Sequence, residues 1–208
     1  MFIKYSVIKY IRNKFHSKFL SSKYDTRISM VRNTISSNGV YAELGVFDGS
    51  FSREIINILD PKALVLIDYF EGDVESGDQD GNNSRVINLD LVYNDLLKRY
   101  RDNNRIKILK GDTVESLSQF QNDYFDMVYV DADHRYEGCL RDLEISYQKV
   151  KNNGWILGHD YEINLKKAKT KFKFGVKKAV DEFCLKYDQY IKIKALDGCV
   201  GYGIQCKK

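Results

Sequence analysis

Apolar positions along this chain fall into two alternating rhythms. Short runs of strand length, rich in Val, Ile, Leu and Tyr, occur at GVYAELGVF (39–47), ALVLIDYF (63–70), RIKILKGD (105–112), DMVYVDAD (126–133) and GWILGHDY (154–161). Between them lie SREIINIL (52–59), VINLDLVYNDLLKRYR (86–101), TVESLSQF (113–120) and EGCLRDLEISYQKVK (137–151), whose apolar residues recur at helical spacing. Strands alternating with helices predict an α/β fold with a parallel sheet covered on both faces. After His159 the rhythm changes: GVKKAVDEFCLKY (175–187) reads as a helix, and QYIKIKAL and CVGYGIQC read as two strands. Only Asp197-Gly198 separates those strands, a strong hairpin signal. Five parallel strands and a terminal antiparallel hairpin give a mostly parallel seven-stranded sheet with helices on both faces.

The N-terminal part follows a different pattern. Ile8, Ile11, Phe15 and Phe19 lie at helical spacing with lysines between them, and a second short helix is expected from Asp25 to Ile35. Residues 1–36 therefore read as a basic, amphipathic helical segment, and 37–208 as the sheet domain. The first helix would pack on its own domain, on a partner chain in a homodimer, or on an anionic membrane surface through residues 1–20. Packing on the domain or on a partner chain is the expectation, with the membrane surface as the functional alternative.

Composition adds little until charge is mapped. At 208 residues, 43% hydrophobic and 30% charged, the chain suits one soluble domain. A net charge of +4 is too mild to argue for nucleic acid, and none is expected as a partner. The charge is uneven, however. Residues 1–20 carry five Lys/Arg and no acid, 166–178 carry seven Lys and no acid, and 71–81 carry five acids and no base. The connection from Glu71 to Ser84 is long for a strand-to-helix link and reads as a lid or binding loop, with a plain surface loop as the alternative. Cys139, Cys184, Cys199 and Cys206 have no metal-ligand spacing and read as reduced thiols of a cytoplasmic protein. No apolar run has the length of a membrane span.

The candidate chemistry sits at strand ends, where open α/β sheets bind ligands. The first strand ends in Glu43-Leu44-Gly45-Val46-Phe47-Asp48-Gly49-Ser50, a turn opening onto a helix N-terminus. Gly45 would let backbone approach a ligand closely. The second ends at Asp68, about twenty residues on, where a carboxylate can accept ribose hydroxyls. The third ends in Gly111-Asp112-Thr113, where Asp112 either caps a helix or meets an adenine amino group. The fourth ends in Asp131-Ala132-Asp133-His134, and the fifth in Gly158-His159-Asp160-Tyr161. Five polar ends in register argue for a nucleoside-type ligand.

With these residues in view, the chain resembles the class I S-adenosylmethionine-dependent methyltransferases over about residues 25–206. ELGVFDGS is similar to their first motif, LIDYF to their acidic second motif, and the terminal hairpin is shared. VDADHRYEG with GWILGHDY and GVKKAVDEF resembles a bacterial subgroup that includes macrolide and aminocoumarin sugar O-methyltransferases. The resemblance implies a Rossmann-like methyltransferase fold, S-adenosylmethionine as cofactor, and O-methylation of a sugar, glycoconjugate or other small-molecule hydroxyl. It places Glu43, Gly45, Phe47, Asp48, Gly49, Ser50, Asp68, Tyr69, Gly111, Asp112, Thr113 and Asp131 around the cofactor. Asp131 and Asp160 become a pair for Mg²⁺ or Mn²⁺, a hard ion that would acidify the acceptor hydroxyl. Tyr161 stands where metal-dependent relatives offer a third ligand. His134 is the expected general base, with Asp133 as rival base or third ligand. His159 is a further acid–base candidate; without a metal, His134 and His159 carry the proton transfer. An NAD(P)-dependent oxidoreductase on a similar sheet is one alternative, though Asp48 stands where its loop wants glycine. A non-catalytic membrane or scaffold protein is the other.

Overall fold

The computed structural model describes residues 22–76, 85–162 and 174–208. The expected amphipathic helix of Ile8, Ile11, Phe15 and Phe19 lies outside them, as do 77–84 of the acidic connection and 163–173 of the lysine-rich stretch. The strands are β1 (Ser22–Tyr24), β2 (Val40–Leu44), β3 (Ala63–Asp68), β4 (Asp73–Ser76), β5 (Arg85–Asn88), β6 (Ile106–Lys110), β7 (Phe125–Val130), β8 (Val150–Glu162), β9 (Ile193–Asp197) and β10 (Cys199–Gln205). The helices are α1 (Arg27–Thr34), α2 (Ser50–Leu59), α3 (Leu89–Arg99), α4 (Thr113–Ser118), α5 (Tyr136–Lys149) and α6 (Val176–Tyr187).

The main sheet runs β1-β9-β10-β8-β7-β2-β3-β6. Strands β8, β7, β2, β3 and β6 are parallel, and β10 is antiparallel to both β8 and β9. The α/β expectation therefore holds, with one correction: the sheet has eight strands, not seven. The eighth is β1, which adds to the edge parallel to β9 through Ser22↔Ile193 and Tyr24↔Ala195. Three residues carry too little alternation to announce a strand; the edge of β9 recruits them through backbone pairing. Within the expected N-terminal helical segment, the described part is thus a strand and a helix built onto the sheet.

Alternation along each strand sorts the core into two layers. Ala42, Leu44, Val128, Val130 and Ile156 face α4, α5 and α6, where Leu117, Leu143 and Phe183 meet them. Tyr41, Leu64, Leu66, Met127, Tyr129 and Leu157 face the other side, against Met30 and Val31 of α1, Ile55 of α2 and Leu96 of α3. The expected helix over 86–101 divides. Arg85–Asn88 pairs with Asp73–Ser76 as a separate two-stranded ribbon, and Asn88 caps α3 by accepting from the Leu91 amide (2.9 Å). All four cysteines are free thiols. No helix among the described residues is long and apolar enough to cross a membrane.

The chain leaves β2 for β3 and β6 on one side, then returns to β7 and β8 on the other. Strand order therefore reverses between β2 and β7, and ligands of open sheets bind at such a reversal.

Candidate active site

At that reversal the ends of β2 and β7 are drawn together. The Asp131 amide donates to the Leu44 carbonyl (2.8 Å) and the Gly45 amide to the Ile67 carbonyl (2.9 Å). Gly45 has φ +84°, and a Cβ there would lie 2.2 Å from the Asp131 carbonyl oxygen. Gly45 thus lets the backbone of the neighbouring strand end approach closely, and it also lines the cleft of about 1010 Å³ that opens beyond it. Among its lining are Glu43, Gly45, Phe47, Asp48, Ser50, Asp68, Tyr69, Asp112, Thr113, Asp131, Asp133, His134, His159 and Asp160. Gly49 and Gly111, both expected at the cofactor, are absent from that lining. Gly49 instead takes φ +70° as the cap position of α2, with its amide on the Val46 carbonyl (2.9 Å).

On the β2–β3–β6 side, carboxylates are tied to backbone. Asp68 Oδ2 accepts from the amides of Val46 (2.7 Å) and Phe47 (3.0 Å), and its Oδ1 from that of Phe70 (3.1 Å). Phe47 sits at φ +54°, a conformation costly for a bulky residue, and the Asp68 carboxylate holds it there. Asp112 caps α4 through the amides of Val114 (2.9 Å) and Glu115 (3.0 Å), while its other oxygen accepts from the Tyr69 hydroxyl (3.0 Å). Two acids here are almost wholly buried, and sequence reasoning missed the second. Glu43, expected at the cofactor, is 1% exposed, and burial pushes its carboxyl up to about 8; Ser52 donates to it (2.6 Å). Asp142 of α5 is 2% exposed, accepts from the Thr113 hydroxyl and is raised by burial to about 6.

On the β7–β8 side, the acids meet side-chain nitrogens instead. His134 Nε2 lies 3.3 Å from Asp131 Oδ1 and 3.1 Å from Asp160 Oδ2, so one ring nitrogen sits between two carboxylates. His159 Nδ1 is 3.3 Å from Asp160 Oδ1. Asp160 adopts φ +57°, which Asp tolerates better than most residues. Burial lowers the basicity of both histidines, but the adjacent carboxylates outweigh it and raise them above the ordinary range. Burial raises Asp160, and the two histidines and Cys199 more than reverse that. Phe174 stacks on His134 with centroids 5.5 Å apart, and the Gly175 amide donates to the His134 carbonyl (2.7 Å), fixing that loop.

Asp133 does not join this group. Both its oxygens are held by Arg135 (2.6–3.0 Å), and a Cβ on Gly138 would lie 2.1 Å from Oδ2, so the carboxylate is packed against the start of α5. Tyr161, where the resemblance implies that metal-dependent relatives offer a third ligand, turns away: its hydroxyl donates to Asp181 (2.7 Å). Asp131, His134 and Asp160 each present a donor atom within 4.8 Å of the others, the spacing of a candidate ion site. One further residue reaches it. Arg27, at the first turn of α1, places Nη1 3.4 Å from Asp131 Oδ2, with its guanidinium 4.7 Å over the Phe51 ring.

A family model described as a methyltransferase domain matches residues 42–161, more than half of the chain, from within β2 through most of β8. No curated protein matches the sequence. Among solved structures, the Aeropyrum pernix fibrillarin bound to S-adenosyl-L-methionine superposes with a TM-score of 0.58 at 15% identity, over 85% of this chain and 72% of that one. A Staphylococcus aureus protein assigned as a caffeoyl-CoA O-methyltransferase gives 0.56 at 14%, over 86% and 80%. The N-methyltransferase NodS from Bradyrhizobium japonicum WM9 gives 0.56 at 13%, over 88% and 92%. At these identities the likeness is one of fold.

Proposed function

The chain belongs to the methyltransferase-domain family, and from that premise we propose that it is an S-adenosylmethionine-dependent O-methyltransferase acting on a hydroxyl of a sugar, glycoconjugate or other small molecule. The observation that carries this reading is the convergence of acids from successive strand ends on one cleft at the sheet's switch point. A donor bearing a sulfonium and an ammonium is cationic, and the cleft is rich in carboxyls: Glu43, Asp68, Asp112, Asp131 and Asp160. Its size suits such a donor with an acceptor beside it. The turn from Gly45 to Ser50 and Glu43 would hold the amino-acid end. Asp68 retains lone pairs beyond its three amides for ribose hydroxyls, with Tyr69 beside it. Thr113, Asp112 and Asp142 would border the base.

The donor supplies the electrophilic methyl group, so the protein's remaining work is to orient the acceptor and take its proton. His134 is the residue for the proton. Its Nε2 faces the cleft between Asp131 and Asp160, and both carboxylates stabilise the imidazolium that forms. Phe174 holds the ring plane. As His134 must be neutral to act, and its carboxylate neighbours raise it, transfer should rise with pH through that raised value. The family match favours neither the oxidoreductase nor the scaffold alternative.

Methyl-labelled donor incubated with a panel of saccharides and phenols tests the reading. The expected result is label in a chemically stable ether. Label on nitrogen or carbon alone would overturn the O-methylation, and binding of NAD in place of the donor would overturn the reading altogether.

A further inference from the structure

The carboxylates that would receive a divalent ion are already occupied, oxygen by oxygen. Asp131 Oδ1 and Asp160 Oδ2 share His134 Nε2, and Asp160 Oδ1 meets His159 Nδ1. Asp131 Oδ2 meets Arg27 Nη1. Two of these three nitrogens belong to histidines, which lose protons readily and can turn a lone pair to a metal. Arg27 can do neither: its guanidinium stays charged and has no lone pair to offer.

The placement of Arg27 is built, not incidental. Strand β1 pairs parallel with β9, and Thr26 closes a capping box with Ser29 that starts α1 at the rim of the cleft. Arg27 is the next residue, and the face of Phe51 steadies its cation. This part of the chain lies before the region matched by the family model. The charge balance follows. Asp131 and Asp160 contribute two negative charges and Arg27 one permanent positive charge. A divalent ion beside Arg27 would leave net positive charge where a cationic donor must also come. Tyr161, the residue after Asp160, adds no oxygen to the group, because its hydroxyl is turned to Asp181.

We propose that Arg27 is the resident cation of this site, neutralising Asp131 in the place a divalent ion would take, and that the chain transfers methyl groups without Mg²⁺ or Mn²⁺. The inference rests on the reading of Asp131 as part of the transfer site. Arg27 acts as a positioning residue: its contact with Oδ2 holds the Asp131 carboxylate with Oδ1 directed at His134, and His134 takes the proton.

Mn²⁺ alone, titrated into the full chain and followed by electron paramagnetic resonance, tests this apart from turnover. The wild-type protein is expected to show no saturable Mn²⁺ site at the Asp131 rim. Arg27→Met should gain affinity for Mn²⁺ by roughly 10- to 100-fold, the range by which residues around a metal's ligands tune it. Arg27→Lys, which keeps the charge, should behave as wild type and also reports on folding. Saturable Mn²⁺ binding by wild type that Asp131→Asn abolishes would overturn the proposal, as would equal Mn²⁺ affinity in wild type and Arg27→Met. Chelator treatment should leave labelled-methyl transfer unchanged; its loss, restored by Mn²⁺, would also overturn it. Failure of the functional reading looks different: no donor binds, whatever the manganese result.

Discussion

The two halves of the cleft use the same residue type in opposite ways. On the β2–β3–β6 side the carboxylates of Asp68 and Asp112 are anchored to five backbone amides, and each builds a turn as well as facing the cleft. On the β7–β8 side Asp131 and Asp160 meet side-chain nitrogens of His134, His159 and Arg27. A carboxylate bound to amides cannot be removed without disturbing the loop it organises. One bound to side chains can be changed while the backbone stays in place. On the proposed function, the first half would couple donor binding to folding, and the second would be free to carry the reaction.

The sharpest way to break this comparison is on the reactive side. Asp131→Asn keeps the shape and removes the charge behind His134, so turnover should fall roughly 10²- to 10⁴-fold, while donor affinity stays within a few-fold. Comparable losses in both quantities would dissolve the distinction. On the other side, Asp68→Ala leaves the Val46, Phe47 and Phe70 amides without their acceptor. It should abolish donor binding and cost roughly 2–4 kcal/mol of stability by denaturant titration. Loss of donor binding at unchanged stability would show that Asp68 only contacts ligand.

Glu43 sharpens the comparison through pH. Its folded value of about 8 lies above its unfolded value of 4.5, so the folded state holds the extra proton. The contribution is complete below 4.5 and is lost as pH rises through 8. Glu43→Gln should therefore stabilise the protein at pH 9, by on the order of 3 kcal/mol, with little change at pH 4. In the wild type, a cationic donor favours the ionised carboxyl, so its binding should release protons, seen by calorimetry in buffers of different ionisation enthalpy. A stability difference that does not vary with pH would place Glu43 outside this role. The smallest effect belongs to Tyr69→Phe, which removes one exposed hydrogen bond to Asp112. It should raise the KM for the donor about threefold.

Much of this was legible in the residues because strand ends carry their own signal. Apolar runs stopping at Asp68, Asp112, Asp131 and Asp160 gave the sheet, its direction and the rim of the cleft. What escaped depends on partners distant in sequence. Arg27 finds Asp131 across 104 positions, and a lone arginine after a threonine carries no pattern. Asp142 reads as a helix surface residue until Thr113 closes over it. The tight contact of Gly45 with the Asp131 backbone is fixed by strand order and not by local sequence. The strand β5 was absorbed into the following helix because Val86 and Ile87 satisfy both periods in so short a run. Asp133 stands between two residues of the site, and its pairing with Arg135 two positions on occupies both its oxygens.

The division of labour between the halves is tested most directly by calorimetric titration of S-adenosylhomocysteine into wild type, Asp68→Ala and Asp131→Asn. Saturable binding in wild type, its loss in Asp68→Ala and its retention within a few-fold in Asp131→Asn is the predicted result. No binding to wild type, or an equal loss in both variants, would contradict it.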